Sequence, residues 1–161
     1  MKDRSQSSLI PRKHSDQDGI EVRRARLGDA GVIATLSGQL GYPATEPEMA
    51  ARLAELLHRP RENVVLVVET AGEIAGWLHA SVTPLLEVPL RAEVNGLVVD
   101  EQRRSAGAGA RLLAAAEQWA KGKGCQSMSV RSNVIREQAH RFYEQNGYQH
   151  YKTQKAFRKE L

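Results

Sequence analysis

From Ile20 onward the apolar residues recur at two periods that take turns along the chain. Ile20 to Arg26 alternates apolar and polar, the period of a half-buried strand. Asp29 is placed to cap a helix carrying Val32, Ile33, Leu36 and Leu40, which Gly41 ends. Thr45 opens a second helix, with Glu48 three residues on completing a capping box and Met49, Leu53, Leu56 and Leu57 forming the apolar face. Asn63 to Glu69 reads as a strand, and Ala71-Gly72 turns the chain into another, Glu73 to Val82. Ala92 to Val99 is a further strand interrupted by Asn95-Gly96, which is either a two-residue hairpin turn or a bulge within one strand. Residues 107–121 have helical spacing, with Leu112, Leu113, Ala116 and Ala120 on one face. Gln126 to Arg131 is a strand. Asn133 is placed to cap a helix that runs through Phe142 and Tyr143 and closes at Asn146-Gly147, and Tyr148 to Phe157 reads as a final strand. The order β-α-α-β-β-β-α-β-α-β predicts an α/β fold with a mixed central sheet, part antiparallel and part parallel, flanked by helices.

Before this pattern begins, residues 1–19 read MKDRSQSSLIPRKHSDQDG, polar and nearly free of large apolar groups. No apolar h-region marks a signal peptide, and the composition is that of a disordered tail. That leaves 20–161 as one domain, an ordinary size for a single core in a chain of 161 residues. The longest apolar stretch, Val64 to Val68, has strand length and falls far short of the roughly 18 residues of a membrane span. The one cysteine, Cys125, excludes an internal disulfide and a cysteine-based zinc site; it fits a reducing compartment, so a cytoplasmic location is expected. A net charge of +4 is a modest surplus that suits phosphate-bearing ligands and is too scattered to argue for nucleic acid. No metal, nucleic-acid or membrane partner is expected.

The segment richest in chemistry runs from Leu97-Val98-Val99 through Arg104-Ser105-Ala106-Gly107-Ala108-Gly109 to Ala110-Arg111-Leu112, a strand, a loop and a helix start. Gly107 and Gly109 allow a tight turn and close backbone approach. The helix that follows offers unpaired N–H groups and the positive end of its dipole, a ready anion site. A nucleoside-triphosphate loop would need Gly-Lys-Ser or Gly-Lys-Thr, but Ala110-Arg111 follows the second glycine. A dinucleotide fingerprint would need a third glycine where Leu112 stands. Close helix–strand packing would also account for the small residues.

The pattern Arg104-x-x-Gly107-x-Gly109 resembles the Arg/Gln-x-x-Gly-x-Gly/Ala motif of the GNAT superfamily of N-acetyltransferases. Ala92-Glu93-Val94 and the apolar residues after it resemble that family's fourth strand, which is bulged. Arg131-Ser132-Asn133 and Ala139-His140-Arg141-Phe142-Tyr143-Glu144-Gln145-Asn146-Gly147-Tyr148 resemble its second cofactor segment. The resemblance spans about 20–161, and the stretch after Asn133 looks most like acetyltransferases of small amines, of the aminoalkylphosphonate and aminoglycoside kinds. It implies acetyl-CoA as cosubstrate. The pyrophosphate would sit on the backbone of Arg104, Ser105, Ala106, Gly107, Ala108, Gly109 and Ala110, and Leu97, Val98, Val99, Asn133, Ala139 and Tyr143 would contact the rest of the molecule. The family's dimers make a homodimer possible here too.

Acetyl transfer from a thioester to an amine needs a neutral amine, donors for the carbonyl oxygen and a proton for the leaving thiolate. The resemblance gives Glu93 the part of general base, directly or through water, and Tyr143 that of general acid. His79 is a rival base. An exposed strand charge for Glu93 and a packing aromatic for Tyr143 are the bland alternatives, and Trp77, Trp119 and His140 read as packing. Tyr42, Glu46 and Glu48 stand where the acceptor would approach, although Glu48 is already a capping residue. The expected activity is acetyl transfer from acetyl-CoA to a primary amine of a small molecule, in a ternary complex. A protein or peptide N-acetyltransferase and a non-catalytic acetyl-CoA-binding regulatory module are the other readings.

Overall fold

The computed structural model describes residues 19–161, so the predicted tail lies outside the described residues except for Gly19. Five strands form one sheet in the order β1 (Ile20–Arg24), β2 (Asn63–Thr70), β3 (Glu73–Val82), β4 (Arg91–Val99) and β5 (Ser127–Val130). The first four pair antiparallel, and β5 lies parallel to β4. The parallel pair needs a crossover, supplied by α3 (Ala108–Gly122). The mixed sheet expected from the order of elements is therefore present.

Each face of the sheet carries its own core. On one face α1 (Ala30–Leu40) and α2 (Glu46–Leu57) bury Ile33 and Leu53 against Val65 and Val67. On the other, α3 sets Leu112, Leu113 and Ala116 against Val64, Leu66, Val68, Leu78 and Val94. Phe142 and Tyr143 of α4 (Glu137–Gln145) pack against this second core. The strand β2 is apolar on both sides because both sides are covered, which is why Val64 to Val68 reads as a continuous run rather than an alternation.

Local signals hold in part. Thr45 caps α2, and its hydroxyl and backbone N–H both donate to the Glu48 carboxylate, so the capping box forms. Asp29 precedes α1 but caps nothing with its side chain there. Its carboxylate instead accepts from the Arg26 N–H at 2.7 Å and from the Arg23 guanidinium at 2.8 and 3.0 Å, a stronger charged partnership than a neutral cap. Ala71 and Gly72 both adopt left-handed backbone conformations, as a tight hairpin between β2 and β3 requires.

Two expectations are corrected. Asn133 does not cap α4. Its side chain accepts from the Ile135 N–H at 3.2 Å in a separate turn, and the helix begins only at Glu137. The predicted strand Tyr148 to Phe157 does not form: residues 148–161 adopt no regular structure, so the order ends β-α after β4 and α3. A strand exists only through a ladder and the apolar surface it buries. This segment is rich in Lys and Arg, and its Phe157 is 91% exposed, so little burial offsets the entropy of ordering it.

Candidate active site

The site is built around an irregularity in β4. Along β3 and β4, His79 faces Gly96 and Ala80 faces Val94, so Asn95 is the extra residue. The Asn95-Gly96 dipeptide is thus a bulge, and the hairpin alternative is excluded. A bulge kinks its strand and ends pairing nearby. Pairing of β4 with β5 stops at Val94 opposite Val130, while β4 runs on to Val99. The two parallel strands separate beyond that point, and the backbone of Leu97, Val98 and Val99 faces a gap on its β5 side. Asn95 steadies the bulge by donating from Nδ2 to Ser81 Oγ at 2.7 Å.

Just past the gap, Asp100 accepts from the Gln102 N–H at 3.1 Å and opens a 3₁₀ turn over 101–106. Gly107 follows at φ 78°, a left-handed conformation that favours glycine, and α3 starts at Ala108 with no side-chain cap. The first turn of α3 therefore presents backbone N–H groups and the positive dipole end with no side chain in the way. Arg104 folds back to donate from Nε to the Val99 carbonyl at 3.3 Å, tying the turn to the strand end. The Ser105 and Ala106 side chains, both predicted contacts, lie outside the described part. Gly109 has a different reason to be glycine. A Cβ there would stand 3.2 Å from Phe142 Cε2, so α3 and α4 touch through it. Ala108 beside it is buried and Ala110 is half-buried.

The two predicted catalytic residues approach from opposite faces. Glu93 lies opposite Ser81 and Ser129, on the face that carries α1 and α2. Its Oε1 accepts from Arg131 Nε at 2.6 Å, and the carboxylate side chain is 24% exposed. His79 shares that face on the other side of the bulge. Its Nε2 lies 3.0 Å from Asn63 Oδ1, so it donates there, and burial lowers its pKa and keeps the ring neutral. Tyr143 belongs to the α3 face, edge-on to Phe142 at 5.2 Å and to Tyr148 at 5.7 Å between ring centroids. Burial pushes its phenol up to about 12, and the nearby Arg136 charge opposes that rise. Tyr148 is fixed by donating its hydroxyl to Glu117 Oε1 at 3.0 Å.

Tyr143, Asn133 and Arg131 line one large open cavity of about 1200 Å³, between β5, α4 and the C-terminal segment. Glu93 joins them through Arg131. The 104–109 turn is not part of that cavity and meets α4 where Gly109 lies against Phe142. Ala139 is half-buried on α4. His140 bonds through Nε2 with the Asn133 carbonyl at 2.9 Å, which holds the turn before α4. Trp77 packs its ring edge over Gly96, and burial raises the Cys125 thiol pKa, which disfavours the nucleophilic thiolate. Glu48 is held by Thr45, whereas the exposed Glu46 carboxylate lies beside Gly31 with no hydrogen-bond or ion-pair partner among the described residues. The sequence reading gave no role to Arg131 or Arg136. The signal for Arg131 was its spacing of two from Ser129, which puts it on the Glu93 face once the register is known.

Among the described residues no helix is long and apolar enough to cross a membrane, and no cluster of His, Cys, Asp and Glu is arranged to hold a metal. Comparison with known proteins agrees with the geometry. The sequence profile of the acetyltransferase (GNAT) family matches residues 32–148. An uncharacterized N-acetyltransferase, YhfO of Bacillus subtilis strain 168, is 30% identical over 134 residues, covering 81% of this chain and 90% of that protein. An aminoalkylphosphonate N-acetyltransferase of Salmonella typhimurium strain LT2 is 29% identical over 156 residues, covering 92% of this chain and 98% of that one. Among solved structures, the aminoglycoside N-acetyltransferase AAC(6')-Iy in complex with CoA superposes with a TM-score of 0.79 at 18% identity, over 95% of this chain and 100% of its own, a likeness of fold. The parted strands, the uncapped helix start behind Gly107 and these matches lead to one assignment: the chain belongs to the acetyltransferase (GNAT) family and is an acyl-CoA-dependent N-acetyltransferase that uses acetyl-CoA.

Proposed function

We propose that the chain transfers the acetyl group to the primary amine of a small molecule, by direct attack of the amine within a ternary complex. The observation that carries this reading is the parting of β4 from β5 at the Asn95 bulge, immediately ahead of an uncapped helix start. The residues fit acetyl-CoA. The backbone of 104–110 suits a pyrophosphate, and the edge of Leu97 to Val99 suits the amide-bearing pantetheine arm, with Asn133, Ala139 and Tyr143 on its other side. The similarity to an aminoalkylphosphonate N-acetyltransferase over nearly the whole chain supports a small acceptor.

Each residue then has a task. Glu93 draws the proton from the attacking nitrogen, through Oε2 or a water, while Arg131 holds Oε1. Backbone N–H groups at the bulge face the carbonyl oxygen as it gains charge. As the nitrogen–carbon bond forms and the carbon–sulfur bond breaks, Tyr143 gives its hydroxyl proton to the departing sulfur. Neutral His79 is the alternative base if Glu93 serves only to hold Arg131. A panel of primary amines assayed for thiol release tests the proposal. Release matched one-to-one by acetylated amine is expected, with Glu93→Gln losing about 10²-fold or more in rate at neutral pH. Full activity in Glu93→Gln would pass the role to His79, and thiol release without amine acetylation would remove the proposal.

A further inference from the structure

The sheet has two outer edges, and they are built differently. The β1 edge reads Ile-Glu-Val-Arg-Arg, and its charges are the usual protection of an edge against pairing with another chain. The β5 edge reads Ser-Met-Ser-Val, with no charge and no proline, and among the described residues no strand pairs with its outer side. Its Met128 and Val130 are only partly buried against the α3 core. Beside this edge lies the cavity of about 1200 Å³, with β5 on one side and residues 149–156 on another. Neighbouring strands sit about 4.7–4.9 Å apart and leave no such space between them. The chain's own C-terminal segment therefore stands off β5 and leaves room for a strand.

That segment is suited to supply a strand, but not to its own molecule. Tyr148 is fixed to α3 through Glu117 and stacked edge-on against Tyr143. From Gln149 onward the segment makes no hydrogen bond or ion pair to the rest of the described chain; the bond between His150 and Thr153 is internal to it. Tyr151 and Phe157, 65% and 91% exposed, lie on one face of an extended segment, because side chains alternate with a period of two. To enter the gap beside its own β5, the segment has to reverse direction after leaving Tyr148. A tight reversal needs Gly, Asn or Asp to take up a positive φ, and 148–161 contains none of them, in contrast to Ala71-Gly72 between β2 and β3. We infer that the gap is filled by the C-terminal segment of a second copy of this chain, each copy lending a strand to the other's β5 edge in a two-fold dimer. Tyr151 and Phe157 of one copy then cover Met128 and Val130 of the other. A segment that buries too little to form a strand in one chain gains both a ladder and an apolar surface in two. The lent strand also walls the cavity that holds Tyr143 and Asn133, so each site is complete only in the dimer. The exchange stands on the sheet edge alone, and its effect on catalysis rests on the acetyl-transfer reading above.

The experiment measures the mass in solution of the full wild-type chain and of Thr153→Pro, by sedimentation equilibrium at micromolar concentration. Proline is excluded from the interior of a paired strand, so the wild type should have twice the mass of one chain and Thr153→Pro the mass of one. A monomeric wild type overturns the inference, and so does a Thr153→Pro that stays dimeric, which places the interface elsewhere. Lysine crosslinking of the wild type separates exchange from closure within one chain. Lys121 at the end of α3 and Lys155 both line the cavity. Links between them should be found in the crosslinked dimer band and be missing from the monomer band. Links confined to the monomer band would show that the segment closes on its own chain and would overturn the inference, and these links decide alone if Thr153→Pro does not fold. Thiol release per chain in a folded, monomeric Thr153→Pro should drop by about tenfold or more, because Tyr143 and the cosubstrate lose a wall that positions them. Full activity in that monomer would overturn the claim that the lent strand completes the site. If the wild-type dimer acetylates no amine, the acetyl-transfer reading fails by itself, and the masses and crosslinks still decide the exchange.

Discussion

At the scale of the residue, the account turns on Tyr143. Its ring is wedged between Phe142 and Tyr148, and burial pushes its phenol up to about 12, so it remains a proton donor through the working range of pH. Tyr143→Phe keeps the ring and its packing and removes the donor. We expect kcat to fall by about 10²-fold, the lower end for general acid catalysis, with acetyl-CoA affinity unchanged in a direct titration. Loss of affinity with kcat intact would make Tyr143 a packing residue. The same burial has a consequence for stability. The folded phenol has a higher pKa than the ordinary value of about 10 that it takes in the unfolded chain, so the folded state binds its proton more tightly. That contribution is complete below pH 10 and is lost as pH rises through 12; Tyr148, raised by burial and by Glu117, acts in the same direction. The residues that carry the family pattern were legible in the sequence because each has a distinctive type at a distinctive spacing. The partners of Arg131, itself within that pattern, and of Arg136 were not, because an arginine acquires meaning only from what the fold brings to it: Glu93 across the sheet for one, the end of α1 for the other.

At the scale of the element, the sequence read best where a local signal and tertiary packing agree. The Thr45 box, the strand pair joined at Ala71-Gly72 and the amphipathic α3 are all present as expected. It read less well where two outcomes share one signal. Asn95-Gly96 has the same letters as a hairpin and as a bulge, and pairing with β3 decides for the bulge. Asn133 is as good in a turn as in a cap. Tyr148 to Phe157 reads as a last strand after α4, yet a strand needs a partner that sequence alone does not supply. The two glycines of the cofactor motif separate in the same way. Gly107 is favoured by its own backbone angle and Gly109 by its neighbour Phe142. Gly109→Val should consequently push α4 away from α3 and cost about 1–3 kcal/mol of stability, the usual penalty of overpacking. Denaturant titration checks this, and an unchanged midpoint would show that the contact between α3 and α4 is slack.

At the scale of the whole molecule, the sheet acts as a frame with a deliberate opening. Continuous pairing from β1 to the start of β4 makes one rigid side, and the crossover through α3 places β5 so that pairing begins at Arg91 and stops at Val94. The opening leads on one face to Tyr143 and on the other to Glu93, and the start of α3 lies at its end. In the proposed reaction this division would let the cosubstrate and the amine enter from separate faces, as direct transfer between them requires. The most direct test of this account is calorimetric titration of acetyl-CoA into wild-type chain and Gly107→Asp, each with its melting temperature. Asp enters the left-handed region at lower cost than most residues, a Cβ at 107 meets nothing within 4 Å, and a carboxylate at the positive end of a helix favours it. The melting temperature should fall modestly, because a side chain at this positive φ is strained and the charge at the helix start offsets only part of that strain, while acetyl-CoA affinity drops by about tenfold or more, because the new charge opposes the pyrophosphate. Equal affinity in the two proteins, both folded at the temperature of the titration, would show that the pyrophosphate does not bind at the start of α3.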